Sequence, residues 1–192
     1  MAMPRVTGLG HIGLYVRDVP KMMAFYRDFL GMQVTKQAPD GRAVFLSADP
    51  EQVDHEIALM VDPTGGKTEN VQQISMRVPS FEDLQEFHRR ILADPELRVD
   101  QVVTHLSSVS CYFFDPEGNR TEVFWLTGRP SWVMIGVPID VQRSQAEVLT
   151  EVDRVYEKTR HVRMGEAPDA VTAAAMREAV QAARESLAAA RT

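Results

Sequence analysis

"HIGLYV", residues 11–16, and "QISMRV", residues 73–78, are two copies of one strand pattern, and the fold follows from placing one on the other. In the first, Ile12, Leu14 and Val16 alternate with other positions, the period-2 signature of a half-buried strand. Shifting the chain by 62 puts His11 on Gln73, Ile12 on Ile74 and Val16 on Val78. The match continues with Asp18 on Ser80, Met22 on Leu84, Phe25 on Phe87 and Leu30 on Leu92. Asp18 and Ser80 are both good helix N-caps, and Pro20 fits a first helical turn without wasting an amide donor. Behind each cap, apolar residues recur at helical spacing: Met22, Phe25, Tyr26 and Phe29, then Leu84, Phe87 and Ile91. Gly31 stops the first helix, and "ADP" at 93–95 stops the second.

Farther along, the shift becomes 66, with Asp49-Pro50-Glu51 on Asp115-Pro116-Glu117, Glu56 on Glu122 and Ile57 on Val123. A loop insertion between strands accounts for the change. "VFLSA" and "EIALMV" read as strands of the first copy; "RVDQVVTHL", "SCYFF" and "TEVFWL" read as strands of the second. "DPEGN" supplies turn residues for a hairpin between the last two. Residues 7–62 and 71–126 are therefore expected to form two βαβββ modules.

Bulk properties narrow the partners. The 192 residues are 44% hydrophobic and 25% charged, as in ordinary globular chains. A net charge of -6 argues against nucleic acid, because phosphate binding needs clustered Lys and Arg. No apolar run approaches the ~20 residues of a membrane helix, and the N-terminus lacks signal-peptide features. The single cysteine, Cys111, excludes an internal disulfide, and its apolar setting in "SCYFF" reads as inert core. A cytoplasmic location is expected. No Gly-rich phosphate loop or dinucleotide fingerprint is present.

"GHIGLYVRDVPKMMAFYRDFLGM", "VFLSADPEQVDHEIALM" and "SCYFFDPEGNRTEVFWLTGRP" together resemble the vicinal oxygen chelate superfamily. That superfamily includes glyoxalase I, bleomycin-resistance proteins, methylmalonyl-CoA epimerase and extradiol ring-cleaving dioxygenases. The resemblance covers residues 5–130 and looks closest to the extradiol branch. It implies an α+β fold in which paired modules curve a mixed β-sheet into a cup-shaped barrel, with a divalent metal on inward-facing strand residues. Residues 1–130 would form this domain and 131–192 a C-terminal strap and helical extension.

The ligand positions implied by the resemblance are His11 and Glu56 in the first module, Gln73 and Glu122 in the second. An imidazole, an amide oxygen and carboxylates suit Fe(II), the ion the extradiol resemblance favours, or Mn, Ni, Co or Zn. Extradiol enzymes usually carry histidine where this chain has Gln73. A one-residue bulge could turn His55 inward in place of Glu56 and restore two histidines and one carboxylate; otherwise His55 takes the place of an acid/base residue. His105 and Tyr112 match positions that, in the resembling enzymes, hydrogen-bond the bound substrate. His88 and His161 read as structural, and the methionines as core filler.

In the tail, "WVMIGVPIDV" is an apolar strap, and Ser144 with Glu147 makes a capping box ahead of Val148, Leu149, Val152, Val155 and Tyr156. "GEAPD" breaks the chain before an Ala-rich helix over 169–190, whose stripe reads Val171, Met176, Val180, Ala183 and Leu187. A docked helical hairpin is expected.

The leading functional expectation is a metal-dependent dioxygenase of the extradiol type, acting on a catechol-like substrate held through two vicinal oxygens. Its metal would be held by His11, Glu122 and Gln73 or His55, with His55, His105 and Tyr112 as catalytic groups. A glyoxalase- or epimerase-type lyase or isomerase would instead use His11, Glu56, Gln73 and Glu122 around an enediolate. A non-catalytic binding protein is the third class. A homodimer is expected from the family habit.

Overall fold

A computed structural model describes residues 4–29, 31–64, 71–114 and 120–190. The first half runs β1 (Gly8–Val16), α1 (Val19–Ala24), β2 (Gln33–Gln37), β3 (Ala43–Ser47) and β4 (Ile57–Val61). The second repeats it as β5 (Val71–Arg77), α2 (Phe81–Ala93), β6 (Arg98–Thr104), β7 (Ser108–Phe114) and β8 (Arg120–Leu126). Asp18 and Ser80 cap the helices as expected, receiving the amides of Lys21 at 2.9 Å and Asp83 at 3.1 Å. α1 loosens into one π-helical turn over Phe25–Phe29, and Gly31, at φ 74°, turns the chain out of it. The short β2, with its many polar residues, escapes recognition by apolar alternation alone. The "DPEGN" turn lies outside the described residues, but β7 and β8 pair antiparallel up to Phe114 and Arg120 on either side of it.

Among the described residues nine strands, the last being β9 (Val137–Pro138), join in one mixed sheet, ordered β2-β3-β4-β1-β5-β8-β7-β6-β9, which curls without closing. β1 and β5 meet antiparallel at its centre, and each runs parallel to the last strand of its own half. Ile12 opposite Ile74, flanked by His11–Ser75 and Gly13–Gln73, makes the junction two-fold symmetric. This symmetry is the physical form of the 62-residue repeat.

The tail is built into the structure. The strap contributes β9 (Val137–Pro138), which pairs with β6 at the sheet edge. α3 (Gln145–Thr159) begins at the capping box of Ser144 and Glu147 and buries Val148, Val152 and Val155. They share one core with Phe81, Leu84 and Ile91 of α2. α4 (Ala170–Ala189) buries Thr172 and Met176, whereas Val171 is 79% exposed and stands off the stripe read from the sequence. The chain between α3 and α4 reaches the first half, where Gly165 donates to the Thr35 carbonyl at 3.0 Å.

Leu84 and Leu92 sit on the same helix in opposite environments, 0% and 59% exposed. Leu84→Ala should cost about 2–5 kcal/mol of unfolding free energy in denaturant titration, because it leaves a cavity in that shared core. Leu92→Ala should stay within about 0.5 kcal/mol.

Candidate functional site

Period-2 alternation fixes which side chains share a face. The strand ladders line up one row across the sheet: His11 on β1 faces Ser75 on β5, which faces Glu122 on β8, which faces Tyr112 on β7. Gln73 lies two residues before Ser75, on the same face. It stands opposite Gly13, where an added Cβ would sit 3.2 Å from its Cγ. Glycine there leaves room for the Gln73 side chain to fold toward His11.

These groups form the floor of a cavity of about 550 Å³, within the range that holds small molecules. Both halves contribute to its walls, and so does the strap through Val133, Ile135 and Gly136.

The floor is tightly bonded. Gln73 Nε2 donates to Glu122 Oε2 at 3.1 Å and to Ser75 Oγ at 3.0 Å, and lies 2.9 Å from His11 Nε2. Ser75 Oγ is also 2.9 Å from that imidazole nitrogen. The bonds from Gln73 to Glu122 and Ser75 use both amide protons, so the Ser75 hydroxyl is the group left to donate to His11 Nε2, and the accepting ring is neutral. Burial, reinforced by His55, pushes the His11 pKa down from 6.5 to about 3. Burial opposes ionisation of Glu122, but the His11 and His105 rings and the Ser75 and Ser110 hydroxyls outweigh it and hold its pKa below the ordinary value.

Arg120 sets the orientation of the amide. Its Nη1 donates to Gln73 Oε1 at 2.5 Å, its Nε binds Asp100 at 2.9 Å, and its guanidinium lies 4.1 Å over the Tyr112 ring. A guanidinium has no acceptor, so Oε1 must face it and Nε2 must face His11 and Glu122.

Two histidines stand above the floor. The His55 ring lies 4.2 Å from that of His11, and the edge of Phe45 meets it at 4.9 Å. His55 Nδ1 is 3.2 Å from Asp54 Oδ2, which also receives Lys36 Nζ at 2.6 Å. Burial works against the Asp54 carboxylate, yet Lys36 and His55 hold its pKa well below the usual range. His55 Nε2 is buried with no hydrogen-bond partner. His105 Nδ1 contacts the Ile135 carbonyl of the strap at 2.5 Å, and its Nε2 meets the Tyr112 hydroxyl at 2.8 Å. A carbonyl only accepts, so Nδ1 carries the proton and Nε2 is left to accept from the phenol. Burial, with the Glu122 charge, lifts the Tyr112 pKa well above its ordinary value and keeps that phenol protonated. The turn carrying His105 is fixed by Leu106 at φ 70°, the one positive-φ residue other than glycine among the described residues.

The structure thus brings His11, Gln73 and Glu122 into mutual contact and sets His55, His105 and Tyr112 around them. Glu56 lines the cavity too, away from that contact. Its carboxylate accepts from the Ala48 amide at 2.7 Å. Ile12 pairs with Ile57 and Ile74 with Thr121, so the shift at the last strands is 64 rather than the 66 read from the sequence. By that register the counterpart of Glu122 is Ala58, and that of Glu56 is Arg120. The 66-residue match was anchored in loops, which carry no register. The sequence reading missed Ser75, Arg120, Asp54 and Lys36. The first two were within reach, since each lies two residues along a strand from a candidate and so shares its face. The Lys36–Asp54 pair depends on a contact between segments that no local pattern marks.

Cys111, beside Tyr112 on β7, is inert core. Burial pushes its pKa from 9.0 to about 12. The folded thiol should resist thiol reagents at neutral pH and react only on unfolding. Because the folded pKa is raised, the thiol's contribution to stability is complete below about pH 9 and declines as pH rises toward 12. The slope reaches at most about 1.4 kcal/mol per pH unit, and Cys111→Ala should remove it from alkaline denaturation curves.

The duplicated modules and their shared cup define a family. Residues 8–123 match the model of the Glyoxalase/Bleomycin resistance protein/Dioxygenase superfamily, and the chain belongs to it. Among solved structures it is similar to catechol 2,3-dioxygenase, at 20% identity and TM-score 0.55, over 71% of this chain and 49% of that one. It is also similar to the 2,3-dioxygenase LapB from Pseudomonas sp. KL28, at 22% identity and TM-score 0.53, over 67% and 48%. A Mn(II)-bound glyoxalase from Novosphingobium aromaticivorans matches at 22% identity and TM-score 0.54, over 64% and 40%. The chain therefore spans less than half the length of each, and at these identities the likeness is one of fold. A search of curated proteins gives no match. Among the described residues no helix is long and apolar enough to cross a membrane.

Proposed function

We propose that the cup is the active site of a metal-dependent dioxygenase of the extradiol type, acting on a catechol-like substrate through its two vicinal oxygens. The observation that carries this reading is the set of groups around the cavity floor: His11 and Glu122 side by side, His55 above them with its Nε2 free of any hydrogen bond, and the bonded His105–Tyr112 pair beside them.

The donor set bears on the metal. His11 Nε2 and Glu122 Oε2 lie 3.5 Å apart. Two donors at about 2.1 Å around one tetrahedral ion would be about 3.4 Å apart. The imidazole presents its lone pair, the form a ligand requires. Among the described residues no three His, Cys, Asp or Glu side chains converge as a ready-made site. A third donor must therefore come from the Gln73 carbonyl, after its amide turns, or from His55 Nε2. The residues fit a divalent ion held by two strong donors and one weak one, with Fe(II) the reading that suits oxygen chemistry. Such an ion would supply Lewis acidity and an electron path between a diol and dioxygen.

The chain's own groups then divide the remaining work. His55 Nε2, its other nitrogen engaged by Asp54, is placed to take a proton from a substrate hydroxyl. The Tyr112 hydroxyl, on leaving His105 Nε2, would offer its proton to charge developing on the substrate, and Arg120 keeps the Tyr112 ring in place. An enediolate lyase with four ligands is less well supported, because Glu56 is bound to the Ala48 amide.

Metal analysis with oxygen-electrode assays on a panel of catechols tests the reading. Fe(II)-dependent O2 uptake with at least one catechol is expected. Retention of Ni, Co or Zn with no O2 consumption would move the protein to the lyase or isomerase class.

A further inference from the structure

Gln73 is placed to do two incompatible things. Its carbonyl oxygen is the atom that could join His11 and Glu122 around a cation, but that atom is committed to Arg120 at 2.5 Å. Its amide nitrogen instead lies between the two donors, 2.9 Å from His11 Nε2 and 3.1 Å from Glu122 Oε2. There it offers N–H protons to the carboxylate and occupies the space an ion would take. Arg120 is itself restrained, by the Asp100 carboxylate at 2.9 Å and by the Tyr112 ring beneath it. The arrangement follows from register. Ile74 pairs with Thr121, so one step back along the same parallel ladder Gln73 adjoins Arg120.

We propose that Arg120 is a positioning residue that latches the Gln73 carboxamide with its nitrogen toward His11 and Glu122, holding the pair in a closed state of low affinity for divalent cations. Cation binding then requires the amide to turn and its oxygen to leave Arg120. A substrate carrying an anionic group that engages Arg120 would release the latch and tighten cation binding in the same event. This inference rests on the reading of His11 and Glu122 as the cation site.

The test is a double-mutant cycle on metal-free full-length protein, titrated calorimetrically with Mn(II) and with Co(II), with near-UV circular dichroism to verify folding. Arg120→Met should tighten binding at least about tenfold over wild type, the scale on which groups that orient ligands act. The same replacement in a Gln73→His background should change affinity by less than about twofold, because imidazole has no carbonyl to latch. Equal tightening in both backgrounds would mean that Arg120 acts only through its charge, and would overturn the latch. So would an absence of tightening in the Gln73 background. Glu122→Gln separates the two readings: if it leaves cation affinity unchanged, the ion binds elsewhere and the site assignment itself fails, taking the latch with it. A measurement on wild type covers the event that Arg120→Met does not fold. Nuclear Overhauser contacts should join the Gln73 Nε2 protons to the His11 ring, and Zn(II) addition should abolish them. Amide protons without that contact in the metal-free protein would refute the latch.

Discussion

Glu122→Gln is expected to abolish retention of divalent metal while the protein stays folded, as read by metal content after desalting and by thermal melting. Glu122 is 1% exposed and lies opposite Ser75 on one side and Tyr112 on the other. Glutamine keeps the shape of the side chain and can still accept from Gln73 Nε2, so the row across the sheet persists. The replacement removes the only carboxylate in the His11–Gln73–Glu122 contact. Tetrahedral protein sites bind Zn(II) with about 10–16 kcal/mol spread over four ligands, so one charged donor accounts for about 3 kcal/mol, or two orders of magnitude in affinity. A site that already depends on an amide for its third donor has no reserve against that loss. Metal content that survives the change would place the ion elsewhere in the protein.

The opposite result is expected at Gln73. Gln73→His should raise affinity for Fe(II), Mn(II) or Co(II) by about two orders of magnitude, measured by calorimetric titration of metal-free protein. The replacement supplies a neutral nitrogen donor, removes the N–H groups that occupy the space between His11 and Glu122, and frees Arg120 from its bond to the amide. Room for the ring exists because Gly13 stands opposite on β1. The variant would hold two histidines and one carboxylate, the arrangement that leaves coordination positions open for a substrate and oxygen. Weaker binding than wild type would show that Gln73 is itself a better donor than its present orientation allows, and that the amide turns readily.

Taken together, the two substitutions bracket the chemistry. In the proposed site His11 and Glu122 are the donors, and the residue between them would set how tightly a cation is held. The binding-protein reading and the enzyme reading differ most at this residue.

Several parts of the fold were legible from sequence because their signals are local. The repeat of strand, cap and helix start rests on period-2 and helical spacing; the second module carries its helix through to Ala93, whereas the first passes into a π turn after Ala24. The capping box at Ser144 and Glu147 and the face of Val148, Val152 and Val155 were equally plain, since a helix end and its apolar stripe lie within a few turns. His11 and Glu122 were named from the repeat and the family resemblance, and the fold sets both on the cavity side of their strands. Val171 shows the limit of reading a helix face from spacing. It lies in the first turn of α4, beyond the surface α4 covers, and Thr172 is buried instead.

What the tertiary structure decided were matters of register and partner. The sequence aligned Glu56 with Glu122 through loop residues, but the ladders set Ala58 in that place, because hydrogen bonds between strands, not spacing along the chain, define register. His55 and Glu56 both line the cavity, and only the fold shows that Asp54 holds the first and the Ala48 amide the second. The orientation of the Gln73 amide could not be read at all, since its two ends differ only in which neighbour each can bond. "HIGLYV" and "QISMRV" by themselves determine that a duplicated cup exists and which face of its central strands looks inward. Arg120, reaching across from the neighbouring strand, determines which atom of that glutamine faces the site.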